Sequence, residues 1–204
     1  MTEGSQTDVG KRRSKLNVLL AGVGGQGTLL AADVLSLVGL ATGYDVKKSE
    51  VHGMAQRGGS VISQVRFGPR VYSPIIPDGG TDILVGFERL EALRWRHLLG
   101  PAGRVLINLH DVVPVSVSSG QQPAVADIEG LLGELYPGAV MVAATRLATE
   151  LGQVRAANMV LAGALSRWTP FGVGAWQAAM RARIPARLLA LNELAFEAGR
   201  AASG

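Results

Sequence analysis

The chain has 204 residues, of which 48% are hydrophobic and 18% are charged, and it contains no cysteine. This length and composition are typical of a folded protein with one substantial hydrophobic core, and they exclude disorder for most of the chain. Without cysteine, the chain itself cannot form a disulfide, a thiolate zinc site, a cysteine nucleophile or a cysteine-ligated iron–sulfur cluster. The three histidines and the dispersed acidic residues show no metal-ligand spacing, so we predict no metal site.

The N-terminal tail, residues 1–15, accounts for the basic character of the chain. Lys11, Arg12, Arg13 and Lys15 lie in it, and their four charges equal the formal net charge of +4. Such a tail is either an arm that binds nucleic acid or a solvated extension, and its lack of aromatic residues favours the second. No secretory signal and no apolar run of about 18 residues is present. We therefore expect a cytoplasmic protein with no membrane or nucleic-acid partner, in which residues 16–204 form a single domain.

Strands alternate with helices through most of the chain, and several helices follow one another at its C-terminal end. Strands are predicted at residues 16–21, 44–48, 61–67, 82–87, 104–109 and 139–144. Helices are predicted at residues 28–42, 88–99, 124–136, 146–151, 156–168, 174–184 and 186–202. Residues 70–73 are a candidate hairpin strand, and residues 49–59 form a predicted loop that opens with a helical turn. The alternation predicts an α/β fold with a doubly wound, mostly parallel, Rossmann-like sheet and additional C-terminal helices.

A glycine-rich turn, GVGGQG at residues 22–27, joins the first predicted strand to the first predicted helix. Glycines allow a tight turn and a close approach of the backbone, and the N terminus of the helix offers free N–H groups and a partial positive charge to an anion. We predict that this turn binds a cofactor or another anion; the alternative is a tight turn without a ligand. The candidate binding residues are Gly22, Gly24, Gly25, Gln26 and Gly27.

A dinucleotide site of this type also needs an acidic residue near the end of the second strand, where it binds a ribose hydroxyl. Asp45 lies at the start of the predicted second strand, and Glu50 lies past its end. Neither position is suitable, so the sequence favours a phosphate or carboxylate ligand over NAD.

The predicted loop at residues 49–59 is unusually polar and rich in glycine. It places His52, Gln56 and Arg57 at the carboxyl edge of the sheet, where sheets of this class bind ligands. Arg57 is suited to a carboxylate or a phosphate. The alternative interpretation is a surface loop whose arginine is solvated.

The chain resembles the gamma subunit or domain of 2-oxoacid:ferredoxin oxidoreductases. The resemblance lies in the glycine turn followed, in this order, by the segment SEVHGMAQRGGSVISQVRFG at residues 49–68. Within that family the chain is most similar to the small subunit of the indolepyruvate branch. Further similarity lies in DILVGFE at residues 82–88, in Ile107-Asn108 with Pro114, and in NMVLAGA at residues 158–164. The resemblance extends over about residues 17–199.

The resemblance implies an enzyme subunit that has no catalytic residue and no activity alone. In this family, thiamine diphosphate and iron–sulfur clusters belong to a larger partner subunit, which passes electrons to ferredoxin, and the gamma part contributes to a cleft for the 2-oxoacid and coenzyme A. The implied reaction is oxidative decarboxylation of an aryl pyruvate to an acyl-CoA. This chain alone is then expected to hold no cofactor except, as a candidate, coenzyme A. The residues expected to face substrate or partner are His52, Met54, Gln56, Arg57, Gly58, Gly59 and Asn108.

Two alternatives stay open, a self-sufficient NAD(P)-dependent oxidoreductase and a non-catalytic interaction scaffold. The C-terminal arginines match no functional position of the family, and we interpret them as solvated. These are Arg155, Arg167, Arg181, Arg183, Arg187 and Arg200. Trp168 and Trp176 are interpreted as packing residues.

Overall fold

The computed structural model describes residues 15–52 and 59–203, and within them the predicted alternation of strands and helices is present. The strands are β1 (Leu16–Val23), β2 (Asp45–His52), β3 (Ser60–Gly68), β4 (Thr81–Gly86), β5 (Leu99–Asn108) and β6 (Val140–Val142). The helices are α1 (Thr28–Ala41), α2 (Arg89–Arg94), α3 (Val115–Ser118), α4 (Ile128–Leu135), α5 (Ala144–Glu150), α6 (Ala157–Ser166), α7 (Val173–Arg183) and α8 (Ala186–Ala202). Two short 3₁₀ turns lie at Arg96–Leu98 and Val154–Ala156.

The strands form one sheet in the order β2-β3-β1-β4-β5-β6. β1, β4, β5 and β6 are parallel to one another, whereas β3 is antiparallel to both of its neighbours, β1 and β2. β2 consequently runs in the same direction as β1, and the predicted doubly wound, mostly parallel sheet is confirmed. The chain changes direction across the sheet between β1 and β4, which opens a crevice at their carboxyl ends.

Alternate side chains of the central strands enter two separate cores. Val18 and Leu20 of β1 pack under α1, α6, α7 and α8, whereas Leu19 and Ala21 pack on the other face with α2 and α4. Burial on both faces explains the uninterrupted apolar run of β1, which is typical of a central parallel strand.

Helices α6 and α8 approach each other at two glycines. A Cβ atom on Gly163 would lie 1.9 Å from the carbonyl oxygen of Phe196, and one on Gly199 would lie 1.8 Å from that of Val160. Only glycine fits at such a distance. This contact holds α6 directly against the C-terminal half of α8.

The second strand is longer than predicted. Residues 49–52, expected to open a loop with a helical turn, continue β2, and His52 pairs with Val61 of β3. β2 is an edge strand with half-exposed polar side chains, so its burial pattern lacks the signal of a core strand. Residues 53–58, the remainder of the predicted loop before Gly59, lie outside the described residues.

Other boundaries also differ from the prediction. Residues 70–73 form no strand; the N–H of Val71 instead donates to the Asp45 carboxylate at 2.7 Å. The second helix ends at Arg94 rather than residue 99, because β5 begins at Leu99, where it pairs with Thr81. α4 begins four residues later than predicted, at the Asp127 cap, whose carboxylate accepts the Gly130 N–H at 2.9 Å.

The predicted tail at residues 1–15 and single domain at residues 16–204 stay predictions. No helix within residues 15–52 and 59–203 is both long and apolar enough to cross a membrane.

Candidate functional site

The glycine turn has a defined backbone geometry. Gly25 and Gly27 adopt φ values of +104° and +81°, in the region that favours glycine. The Gln26 N–H donates to the Val23 carbonyl at 3.1 Å, and the Gln26 side-chain oxygen accepts the Val23 N–H at 2.7 Å. Gln26 is one of the predicted binding residues, but its side-chain oxygen closes the turn itself.

The turn ends at the N terminus of α1. Gly27 is the N-cap residue and supplies no side-chain acceptor, and the first turn of α1 has no acidic residue. The Asn158 amide group donates to the Gly27 carbonyl at 3.3 Å. A Cβ atom on Gly27 would lie only 2.4 Å from the nitrogen of that amide group. The first N–H groups of a helix lack intrahelical partners, so this end of α1 is suited to an anion.

The segment that follows the predicted loop lies directly beside the glycine turn. The Gly24 N–H donates to the Gly59 carbonyl at 2.9 Å, and Ser60 pairs with Val23. His52 is exposed at the end of β2, one strand away from β1. Gly59 is therefore next to the turn; that it faces substrate or partner stays a prediction. The remaining predicted partner-facing residues, Met54, Gln56, Arg57 and Gly58, lie outside the described residues.

A buried carboxylate holds this junction on the opposite face of the sheet. Glu91 of α2 is 2% exposed and accepts hydrogen bonds from the Ser60 hydroxyl at 2.5 Å and the Trp95 indole N–H at 3.1 Å, and it pairs with Arg94. Because Ser60 follows Gly59, Glu91 fixes the point where the chain returns to the sheet. No local pattern in the sequence indicated this role of Glu91.

Glu88, at the start of α2, is also buried. Burial raises its pKa, although the carboxylate accepts the backbone N–H groups of Leu90 and Glu91 and so caps the helix. Through these hydrogen bonds, Glu88 stabilises the turn between β4 and α2.

A cavity of about 160 Å³ lies at the crevice between the glycine turn and the ends of β4 and β5. Gly25, Gln26, Asn108, His110 and Thr145 are among its lining residues. The amide group of Asn108 donates to the Phe87 carbonyl at 3.1 Å and to the Thr145 hydroxyl at 2.8 Å, and its oxygen accepts the Thr145 N–H at 3.2 Å. Asn108 thus lines the cavity, but its polar atoms hold β5 to α5; that it faces substrate or partner stays a prediction. His110 was missed by the sequence analysis, although its place directly after a buried strand is a usable signal.

A second cavity, of about 450 Å³, lies on the other side of the turn. It shares Gly25 and Arg155 with the first, and Gly27, Asn158 and Arg187 also line it. Arg155 and Arg187 are both exposed and border this cavity beside the glycine turn; their interpretation as solvated side chains stays a prediction.

Four of the other C-terminal residues singled out in the sequence have packing or pairing partners. Arg183 binds Asp33 at 2.7 Å, and Arg200 donates to the Ser166 hydroxyl at 2.7 Å. Trp176 is fully buried, and the Trp168 ring lies 3.9 Å from the Arg104 guanidinium carbon.

The two acidic residues considered for a ribose are engaged elsewhere. Asp45 lies at the far end of β2 from the turn and binds Lys47 and the Val71 N–H. Glu50 lies inside β2, not past its end as predicted, and pairs with Lys48 at 2.7 Å. No group of three or more His, Asp or Glu side chains suited to a metal occurs in the part of the chain that the structure describes.

A doubly wound sheet with a glycine turn and open cavities at its crevice is typical of an α/β domain that binds a nucleotide or another anion. The profile of the pyruvate ferredoxin/flavodoxin oxidoreductase family matches residues 17–202, and the chain belongs to this family. The predicted family resemblance is thus confirmed.

Among similar proteins, indolepyruvate oxidoreductase subunit IorB of Thermococcus kodakarensis is 40% identical over 188 residues, which cover 90% of this chain and 93% of that protein. The keto/oxoacid ferredoxin oxidoreductase gamma subunit from Geobacter sulfurreducens has a TM-score of 0.69 at 21% identity, over 92% of this chain and 98% of that one. A 2-oxoglutarate:ferredoxin oxidoreductase chain from Magnetococcus marinus, described with 2-oxoglutarate, coenzyme A and succinyl-CoA bound, has a TM-score of 0.73 at 20% identity. The match covers 95% of this chain and 31% of that longer one.

Proposed function

We propose that this chain is the small subunit of a 2-oxoacid oxidoreductase and completes the active-site cleft of a larger subunit that carries thiamine diphosphate and iron–sulfur clusters. The complex would oxidatively decarboxylate a 2-oxoacid to an acyl-CoA and pass the electrons to ferredoxin through the partner. In such a complex the thiamine cofactor stabilises the carbanion and the clusters carry single electrons, whereas this chain helps to bind and orient the substrates. The absence of cysteine from the whole chain supports it, since thiolates are the usual cluster ligands.

The observation that carries the proposal is the convergence of the glycine turn, the Gly59–Ser60 junction and the crevice cavity at one edge of the sheet. The cavity lining includes Gly25, Gln26, the Thr145 hydroxyl and the side chain of His110. This set suits the binding of a ligand at a shared cleft. Gly25 leaves room for it, because no heavy atom lies within 4 Å of the position that a Cβ would take.

The names of the relatives support an aryl pyruvate as the 2-oxoacid. Proteins named as indolepyruvate oxidoreductase subunits are 33–40% identical to this chain, whereas those named as 2-oxoglutarate synthase subunits are 29–30% identical. Coenzyme A, named for the Magnetococcus structure, is the ligand that we propose for the glycine turn. The uncapped N terminus of α1 favours such an anionic ligand.

The geometry gives less support to an NAD(P)-dependent oxidoreductase. Such an enzyme needs a free carboxylate for the ribose near the end of β2, and Glu50 is paired there with Lys48. The second alternative, a non-catalytic interaction scaffold, gives no function to the two cavities beside the turn.

The first test is assembly. This chain and the larger subunit of the same organism are co-expressed with a tag on one of them, and the complex is purified and analysed for iron and thiamine diphosphate. We expect a stable complex in which both cofactors remain with the larger subunit after the two are separated. Failure of the two chains to associate at micromolar concentration would contradict the proposal.

A second measurement separates the proposal from its rival. The purified complex is titrated with coenzyme A and with NAD by calorimetry. Binding of coenzyme A but not of NAD is expected. The reverse result would support the NAD(P)-dependent enzyme.

A further inference from the structure

One edge of the sheet is formed by β2, an eight-residue strand. Within residues 15–52 and 59–203, β2 pairs with β3 alone. Its other edge presents backbone N–H and C=O groups that no strand of the described chain uses. A long edge strand of this kind is a template for pairing with a strand of another molecule.

The charges of β2 suit pairing with a second copy of the same strand. In a symmetric antiparallel pair, side chains on the same face of the sheet oppose each other, so the two-fold axis passes through one residue. Two such axes keep most of the strand paired. An axis at Lys48 would place the two Lys48 ammonium groups opposite each other. An axis at Ser49 places each Lys48 opposite Glu50 of the second copy, so opposite charges meet at two positions.

The flanking positions are compatible with the register about Ser49. Lys47 would oppose Val51, an exposed side chain that the methylene groups of the lysine can cover, and Val46 would oppose His52. Within one chain, Lys48 already lies 2.7 Å from Glu50. Four charges of alternating sign would therefore surround the two-fold axis, and no like charges would oppose each other across the strands.

Helix α1 supplies a second observation, because it leaves apolar side chains uncovered beside this edge. Asp33 of α1 binds Lys48, so this side of the helix faces β2. Leu29 and Leu40 lie four residues before and seven residues after Asp33, which places them on the same side of the helix. They are 37% and 55% exposed. A second copy paired at β2 would place its own α1 on the same face of the sheet, with its leucines toward these.

We propose that two copies of this chain associate through their β2 strands, antiparallel and in register about Ser49, to form one continuous sheet. Backbone hydrogen bonds between the strands supply affinity, and the Lys48–Glu50 pairs fix the register. The two glycine turns would lie at opposite ends of the joint sheet, so each would stay accessible to its own larger subunit. The inference does not depend on the proposed function, and it predicts an enzyme that contains two small subunits.

Sedimentation velocity of the full chain over a range of concentrations tests this proposal. We expect a reversible equilibrium between monomer and dimer with a dissociation constant in the micromolar range. Lys48→Glu and Glu50→Lys each place like charges opposite each other at two positions, so each should weaken the dimer by about tenfold or more. An equal mixture of the two variants should form a heterodimer, because the introduced carboxylates then oppose the introduced ammonium groups.

Two further variants make the test specific. Arg146→Glu changes the net charge as Lys48→Glu does, but Arg146 is exposed on α5, after β6 at the opposite edge of the sheet. It should dimerise like the wild type. Leu40→Arg leaves the ion pairs of β2 in place and should weaken the dimer by several-fold, since it puts a charge between the two α1 helices. With Glu50→Lys, it decides the question if thermal denaturation shows that Lys48→Glu does not fold.

The proposal is overturned if the wild type stays monomeric at a concentration of about 100 µM. It is also overturned if the wild type dimerises but the folded β2 and α1 variants keep its dissociation constant, or if the two charge variants stay monomeric when they are mixed. A monomeric wild type whose β2 variants bind the larger subunit less tightly would assign this edge to that subunit instead. None of these results would contradict the proposed function, which requires only that the chain assembles with the larger subunit.

Discussion

Gly25 and Gly27 both have positive φ values, but they differ in what surrounds them. Gly27 is enclosed by the Asn158 side chain, whereas Gly25 faces open space and lines both cavities. Gly27 therefore stabilises the fold, whereas Gly25 leaves room at the surface where we place the ligand.

Substitution of these two glycines should lower the stability of the protein to different extents. Gly27→Ala adds a Cβ that would lie 2.4 Å from the Asn158 amide nitrogen, so we expect a loss of about 2 to 4 kcal/mol in the free energy of unfolding from backbone strain and the clash together. Gly25→Ala has only the backbone strain and should lose about 1 to 2 kcal/mol. Urea denaturation measures both. Equal losses would show that Asn158 moves away without cost.

Neighbouring helices and strands are held together by two kinds of close contact. α6 and α8 touch backbone to backbone at Gly163 and Gly199. α1, β2 and α7 are joined at Asp33, which binds Lys48 and Arg183. Both contacts hold neighbouring elements in fixed relative positions.

Gly163→Ala should be among the most destabilising single substitutions in this chain. Its Cβ would lie 1.9 Å from the Phe196 carbonyl oxygen, and separation of the helices should cost about 3 kcal/mol or more, as in other overpacked cores. Gly133→Ala in α4 is the matched control, because that site is exposed and has no atom within 4 Å. Alanine favours a helix by up to about 1 kcal/mol over glycine, so the control should be slightly more stable. Thermal denaturation of both variants measures this, and a stable Gly163→Ala protein would contradict the packing of α6 on α8.

Asp33 should make stability depend on pH. Burial alone would raise the pKa of Asp33, but hydrogen bonds from Lys48 and Arg183 outweigh it and hold the pKa below its usual value of 3.8. A carboxylate with a lowered pKa stabilises the folded state above about pH 4 and loses that contribution as the pH falls through the folded-state pKa. Asp33→Asn should therefore cost about 1 kcal/mol at pH 7, since the group is partly exposed, and less at pH 3.

Urea midpoints at the two pH values test this expectation. Glu150→Gln removes the exposed pair with Arg146 and should change stability by less than about 0.5 kcal/mol at either pH. A deficit of Asp33→Asn that stays constant from pH 7 to pH 3 would show that the ion pairs do not cause it.

At the scale of the whole molecule, local patterns in the sequence predicted more of the fold than of the site. The apolar run of β1 and the span of α8, which follows Pro185, both carry strong local signals, and α8 matches its predicted range of residues 186–202. The antiparallel insertion of β3 has no such signal, because pairing is decided between strands distant in sequence. The end of β2 was missed because this edge strand has half-exposed polar side chains and so lacks the apolar pattern of a core strand.

The candidate site was predictable only where it is contiguous. The glycine turn stands in six consecutive residues, so its place between β1 and α1 was evident. Arg155 and Arg187 are 32 positions apart and become neighbours of the turn only when α6 packs on α8. The use of Gln26 and Asn108 in internal hydrogen bonds likewise depends on partners that no local pattern identifies.

The central claim is that this chain completes an active site whose chemistry belongs to a partner. The most direct test is the steady-state rate of indolepyruvate oxidation with coenzyme A and a one-electron acceptor, measured for this chain, for the larger subunit and for the two combined. We predict turnover for the combined subunits, none for this chain alone even with added thiamine diphosphate, and little for the larger subunit alone. Turnover by this chain alone, or a full rate from the larger subunit without it, would contradict the account.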